Sequence, residues 1–254
     1  MDIGSAMRQR LIDELDLIIR RPGMYSSDGI SLQAICSMRL SDLLFLDGTP
    51  EMDFHSLGIG AKYGKCGIIG PFHQRFGRER KFYNEVASVF AEIFHQHGYF
   101  TPERLVPDEE WSKLVETADT AYVDTDVRMS EILDAFGPPS LKIGRDLLCY
   151  APEDGTGWVF IDCFWETTAA YQPGTGGLGN FTETYDPLVR DIRLPGENFE
   201  ENLRLTLYGR FLRWGPGWWI YHPNNGQSAE ARAIAAQLRE VEASDPSQPS
   251  HPDL

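Results

Sequence analysis

The chain reads as an α+β protein, with a helical N-terminal region followed by a helix and an antiparallel sheet of about five strands. Three observations predict this. Apolar residues recur at helical spacing through the first 118 residues. The period falls to two after the break Gly137-Pro138-Pro139. Gly157–Trp165 is apolar on both faces, with Trp158, Phe160 and Phe164 on one side and Val159, Ile161, Cys163 and Trp165 on the other. Such a strand belongs inside a sheet covered on both faces. Its one polar residue, Asp162, needs a partner if buried, and Arg190, Arg193 and Arg204 on the expected neighbouring strands are the candidates.

Met7, Leu11, Leu15 and Ile18, flanked by Ile12 and Ile19, predict a helix over Ser5–Arg20 that Pro22-Gly23 stops. A second helix is expected after Ser31, with Leu32, Ile35, Met38 and Leu43–Leu46 as its inner face and a turn at Asp47–Pro50. Six glycines between Gly58 and Gly77 predict an irregular loop with short extended pieces. Phe82, Val86, Val89, Phe90, Ile93 and His97 mark the buried face of a helix closed by Gly98. Thr101-Pro102-Glu103 and Pro107–Glu110 both combine an early proline with first-turn acids, as helix starts do. Residues 1–118 thus form a mostly helical region, and the polar stretch 118–126 separates it from an α+β region over 127–225.

In that second region a helix is expected from Val127 to Phe136. A hairpin follows, pairing Leu147–Tyr150 with Gly157–Trp165 around Glu153-Asp154-Gly155. Thr167–Phe181 reads as a Gly-rich loop. Leu188–Leu194, Asn202–Tyr208 and Trp218–Tyr221 complete a meander. Segment 226–242 holds a short amphipathic helix (Ser228–Val241), and 243–254, rich in Ser, Pro and Asp, is expected to be disordered.

The net charge of -15 is spread over the chain, with 13 basic and 20 acidic residues in 1–127 alone. This balance repels nucleic-acid phosphates and anionic membranes, so neither is an expected partner. No apolar run of about 18 residues is seen, and the N-terminus has no signal-peptide core. Cys36, Cys66, Cys149 and Cys163 are scattered, which fits reduced thiols in the cytoplasm and no zinc site.

The chemical motifs fail on their context. Arg21-Pro22-Gly23-Met24-Tyr25 is similar to the RPGMY stretch of gyrase-B type ATPases, but no Asn-bearing helix or DGxG-type loop accompanies it, and it reads as a helix stop. Gly64-Lys65-Cys66 lacks both the first glycine and the Ser or Thr of a phosphate loop. Gly174, Gly176 and Gly179 fit GxGxxG without the strand before and helix after that a dinucleotide requires. His95 and His97 stand two apart on a helix and diverge, whereas Glu92 and His95, one turn apart, could share an ion; His97 reads as a core residue, and no metal is assigned. No GxSxG or HExxH motif is present, and no cofactor or catalytic residue is assigned.

Two candidate binding regions are left. Trp214, Trp218, Trp219 and Tyr221 are either core or exposed, and if exposed and ringed by acids they would suit a basic protein. The alternative is the basic island of residues 61–81, where Lys65, His73 and Arg75 could take an anionic substrate or ligand. The helix, Gly-Pro-Pro and hairpin of residues 130–165 resemble the unit found in β-lactamase-inhibitor-like domains. In size, acidity and lack of catalytic motifs the whole chain resembles the cytosolic immunity proteins of bacteria, which neutralise toxins. That resemblance implies a non-catalytic inhibitor whose acidic, aromatic surface covers a basic partner such as a toxin. An enzyme or small-ligand binder at 58–81 is the alternative.

Overall fold

The structure, a computed structural model, describes residues 3–49, 57–76, 81–123, 125–155, 157–164, 167–170, 180–183 and 186–214. It is an α+β fold with helices at the N-terminus and a five-stranded antiparallel sheet. By contact the chain divides into two compact units. The first comprises 1–115, 139–160 and 193–203, and the second 116–138, 161–192 and 204–254.

The first unit begins with α1 (Ile3–Arg20), which a 3-10 turn at Pro22–Met24 ends where the proline is. Asp28 caps α2 (Gly29–Leu46) by accepting from the Ser31 N–H at 2.8 Å. The buried face of α2 is Leu32, Cys36, Leu40, Leu43 and Leu44, while Met38 and Phe45 are exposed. The expected inner face containing Met38 is therefore corrected by about one residue per turn. The source of the error is that α2 is apolar nearly all round, so periodicity has little to choose between faces.

The expected irregular loop is also corrected. Two short helices, α3 (Ile59–Tyr63) and α4 (Ile69–Phe76), occupy it. Ile59 and Tyr63 are spaced i,i+4 and Ile69 and Phe72 i,i+3, and all four are buried. Gly64 and Gly67 take positive φ and turn the chain between the two helices. Glycine here punctuates helices rather than dissolving them.

The central helix is α5 (Tyr83–Gln96), in which every residue from Glu85 to Phe94 is buried. Gly98 and Tyr99 donate to the carbonyls of His95 and Phe94, which closes the helix as expected. His97 is its half-buried C-cap, stacked on Tyr99, and not a core residue. Of the two expected helix starts, Asp108–Thr120 forms α6, whereas Thr101–Glu103 is irregular, its backbone tied by Glu103 N–H to Ser140 O. The strands β1 (Leu141–Ile143) and β2 (Leu147–Tyr150) form an unexpected hairpin, with Leu141 opposite Cys149.

In the sheet the order is β1-β2-β3-β6-β7, where β3 is Val159–Phe164, β6 Leu188–Arg193 and β7 Leu203–Leu205. Val159–Cys163 is buried throughout, so this strand is covered on both faces as its composition requires. The expected loop after β3 instead holds a second antiparallel pair, β4 (Thr167–Ala170) with β5 (Asn180–Glu183).

The expected strand Asn202–Tyr208 is corrected most. A helical turn, α8 (Phe199–Asn202), precedes three residues of strand, and α9 (Leu207–Trp214) follows. Thr206 starts that helix, because its hydroxyl accepts from the Gly209 N–H at 3.0 Å. In the second unit α7 (Met129–Phe136) ends at Gly137, as expected. The expected strand Trp218–Tyr221, the helix Ser228–Val241 and the tail 243–254 lie outside the described residues.

Candidate functional site

A cavity of about 470 Å³ opens in the first unit between α3 and α5. Its apolar wall includes Ile59 and Ala61 of α3 and Val89 and Ile93 of α5. Val89, Glu92, Ile93 and Gln96 share one face of α5, and Ile59, Lys62 and Tyr63 one face of α3, by their i,i+3 and i,i+4 spacing, while Ala61 joins the lining from an exposed position.

Glu92 is the unusual group. It stands among Val89, Ile93 and the other buried residues of α5 and is 8% exposed. One carboxylate oxygen accepts from the backbone N–H of Trp158 at 3.0 Å. Burial raises its pKa above the ordinary glutamate range, and the positive charges of Lys62 and Arg193 only partly oppose that. Lys62 shows the mirror effect. Burial lowers its pKa, and the attraction of Glu92 works the other way. The Tyr63 hydroxyl is pushed up by burial as well.

Behind the cavity, buried Arg193 lies over the rings of Phe160 and Phe72, at 4.3 and 5.2 Å from their centroids, and donates to Ser88 Oγ at 2.7 Å. Two aromatic faces and a hydroxyl hold the guanidinium in place.

The second unit holds another buried charge cluster. Arg190 pairs with Asp162 and, through Nε, with Asp191 Oδ2 at 2.8 Å, and all three residues are buried. Asp162 thus has a partner from the expected neighbouring strand. Of the other two candidates, Arg193 belongs to the first unit's aromatic stack and Arg204 pairs with Asp119 at 2.6 Å.

Of the predicted site residues, Lys65, His73 and Arg75 are placed outside this cavity. Lys65 is exposed in the turn after α3, His73 packs against Phe82, and Arg75 is paired with Glu200. None of the three lines the cavity. Trp214 ends α9, while Trp218, Trp219 and Tyr221 lie outside the described residues. His95 bonds Phe100 O at 3.0 Å, and among the described residues no group of three His, Cys, Asp or Glu could hold a metal ion.

Sequence reasoning missed Lys62 and Glu92 as a pair. The available signal was an acid inside the apolar stripe Val86–Ile93, facing a lysine between Ile59 and Tyr63, but nothing local says that the two stripes meet. Comparison of the chain with family models, with curated proteins and with solved structures found no match.

Proposed function

We propose that the chain is a non-catalytic protein-binding or inhibitor protein, of the immunity type, that takes a basic partner. The carrying observation is the exposed apolar surface of α1 and α2. Of the eight large apolar side chains exposed among the described residues, seven fall between Met7 and Phe45. Ile30, Met38 and Phe45 lie along α2, with Phe45 82% exposed. This helix has a mean hydropathy of 1.3 and would span a bilayer by length and composition alone, yet only a third of it is buried. A helix apolar on both faces expects cover on both, and an exposed concentration of apolar groups supports docking.

The chemistry beside α1 supports a basic partner. Asp13, Asp16, Leu17, Tyr99 and Phe100 line a shallow concavity of about 460 Å³. Asp16 already pairs with Arg20 at 2.9 Å and Asp13 accepts from Gln9 at 2.8 Å, so an incoming arginine or lysine would compete with this chain's own donors for these carboxylates and rings. Arg8 and Arg20 of this chain already lie over the Tyr99 and Phe100 rings. Residues 3–47 carry 5 basic and 6 acidic groups, so the helix pair itself is nearly neutral. Steering would come from the charge of the whole chain, and affinity from the apolar face.

The test compares the wild type with Met38→Glu/Phe45→Glu as bait. Both positions are exposed, so the variant keeps its fold, which circular dichroism checks. A protein recovered only by the wild type is expected, with an on-rate that falls steeply as salt rises from ~50 to ~500 mM. Equal recovery by both baits, or an on-rate indifferent to salt, would sink the reading.

A further inference from the structure

We propose that the cavity between α3 and α5 is a binding site for a small zwitterionic ligand of amino-acid or dipeptide size. The ligand's carboxylate would meet Lys62, its ammonium would meet Glu92, and its apolar side chain would lie against Val89 and Ile93. At about 470 Å³ the cavity is of the size that small-molecule sites have. Its lining combines apolar wall with one basic side chain, Lys62, and two acidic ones, buried Glu92 and exposed Glu197, and the two withdrawn from solvent, Lys62 and Glu92, decide the class of ligand.

Glu92 spends one oxygen on the Trp158 N–H, and no described residue donates to the other. Lys62 and Glu92 attract each other electrostatically across the cavity, yet no ion pair closes between them. Glu92 is buried and Lys62 half-buried, and opposite charges partly withdrawn from water and held apart are costly, because neither has gained its counter-ion in exchange. A molecule carrying both complementary charges offsets that cost at both ends.

A singly charged ligand does less. An amine alone leaves Lys62 unanswered, and a carboxylate alone faces Glu92. Arg193, behind the cavity, adds a second positive charge that acts on Glu92 and Lys62 alike. The apolar wall then selects an aliphatic or aromatic side chain over a polar one.

The experiment uses the full chain and two measurements. L-leucine, L-phenylalanine and the dipeptide L-leucyl-L-leucine are titrated by calorimetry, and their effect on melting is followed in parallel. At least one is expected to bind saturably and raise the melting temperature. Its N-acetyl and carboxamide derivatives, each lacking one charge, should bind at least about tenfold more weakly, the loss expected for one charge-assisted contact. Lys62→Met and Glu92→Gln should each show a similar loss. Ala61→Trp, which fills the cavity from an exposed position, should abolish binding while the protein still melts cooperatively.

The proposal is overturned if none of the three probes binds saturably, or if the blocked derivatives bind as well as their parents. Full affinity in Lys62→Met and Ala61→Trp would also overturn it. Those two variants decide the matter should Glu92→Gln fail to fold.

Discussion

Each of the two units buries charge, and the two do so in opposite ways. In the second unit Arg190 is closed between Asp162 and Asp191, all three buried on adjacent strands. In the first, Glu92 and Lys62 are desolvated but make no direct pair, and both line a cavity. In the Arg190 cluster the charges meet a direct partner of opposite sign. The Glu92 arrangement leaves them open. Burial of a charged group is thus a poor marker of a binding site by itself, and whether the charge is already answered is the better one.

The largest effect should come from breaking the closed cluster. Arg190→Met leaves two carboxylates buried against each other and should destabilise by roughly 3–5 kcal/mol, read from the urea midpoint. Asp162→Ala should cost less than Arg190→Met, since Asp191 still answers the arginine. A change of under ~0.5 kcal/mol in Arg190→Met would mean that the cluster is hydrated, and the contrast between the units would collapse.

A smaller effect tests the backbone behind the same cluster. A Cβ at Gly209 would fall 1.8 Å from the Arg190 carbonyl oxygen. Gly209→Ala should therefore cost about 1–3 kcal/mol through forced displacement of α9 from β6. Thermal melts showing no loss would place α9 elsewhere.

The open site should give the smallest change, and its sign and pH dependence matter more than its size. The folded-state pKa of Glu92 is raised above its unfolded value. Its stabilising contribution is therefore complete below the ordinary glutamate range and is lost as pH rises through the folded value. Glu92→Gln keeps an acceptor for the Trp158 N–H but carries no charge. Relative to the wild type it should gain stability as pH is raised from about 4 to about 7. Parallel stability curves for the two proteins would show that Glu92 is as well solvated as any surface acid.

Local pattern carried much of the fold. The helix over α1, its stop at Pro22, the Gly98 closure of α5 and the doubly buried β3 are each written in a stretch of some ten residues. The errors share one cause. For α2, residues 58–76 and Asn202–Tyr208, local preference was divided and packing chose. Apolar residues all round α2 leave its inward face to its neighbours. Glycines at 64 and 67 suit either a loop or a break between helices. Leu203, Leu205 and Leu207 alternate as a strand does, until the Thr206 cap turns the chain into α9.

Of the candidate sites, the sequence by itself determined the ingredients: a net charge of -15, an acid among the apolar residues of α5, a basic island after Gly58 and an aspartate inside an apolar strand. It also determined that Asp162 must be paired if buried, because an isolated carboxylate is too costly there. Only the tertiary structure decided which arginine answers it and that Arg193 stacks between two rings instead. Only the tertiary structure brought Lys62 to Glu92 while leaving Lys65, three residues on, exposed. The reason is physical. Periodicity acts over a few residues and sets which way a side chain points, whereas a site needs side chains from helices some thirty residues apart, and the packing of one apolar face against another sets that distance.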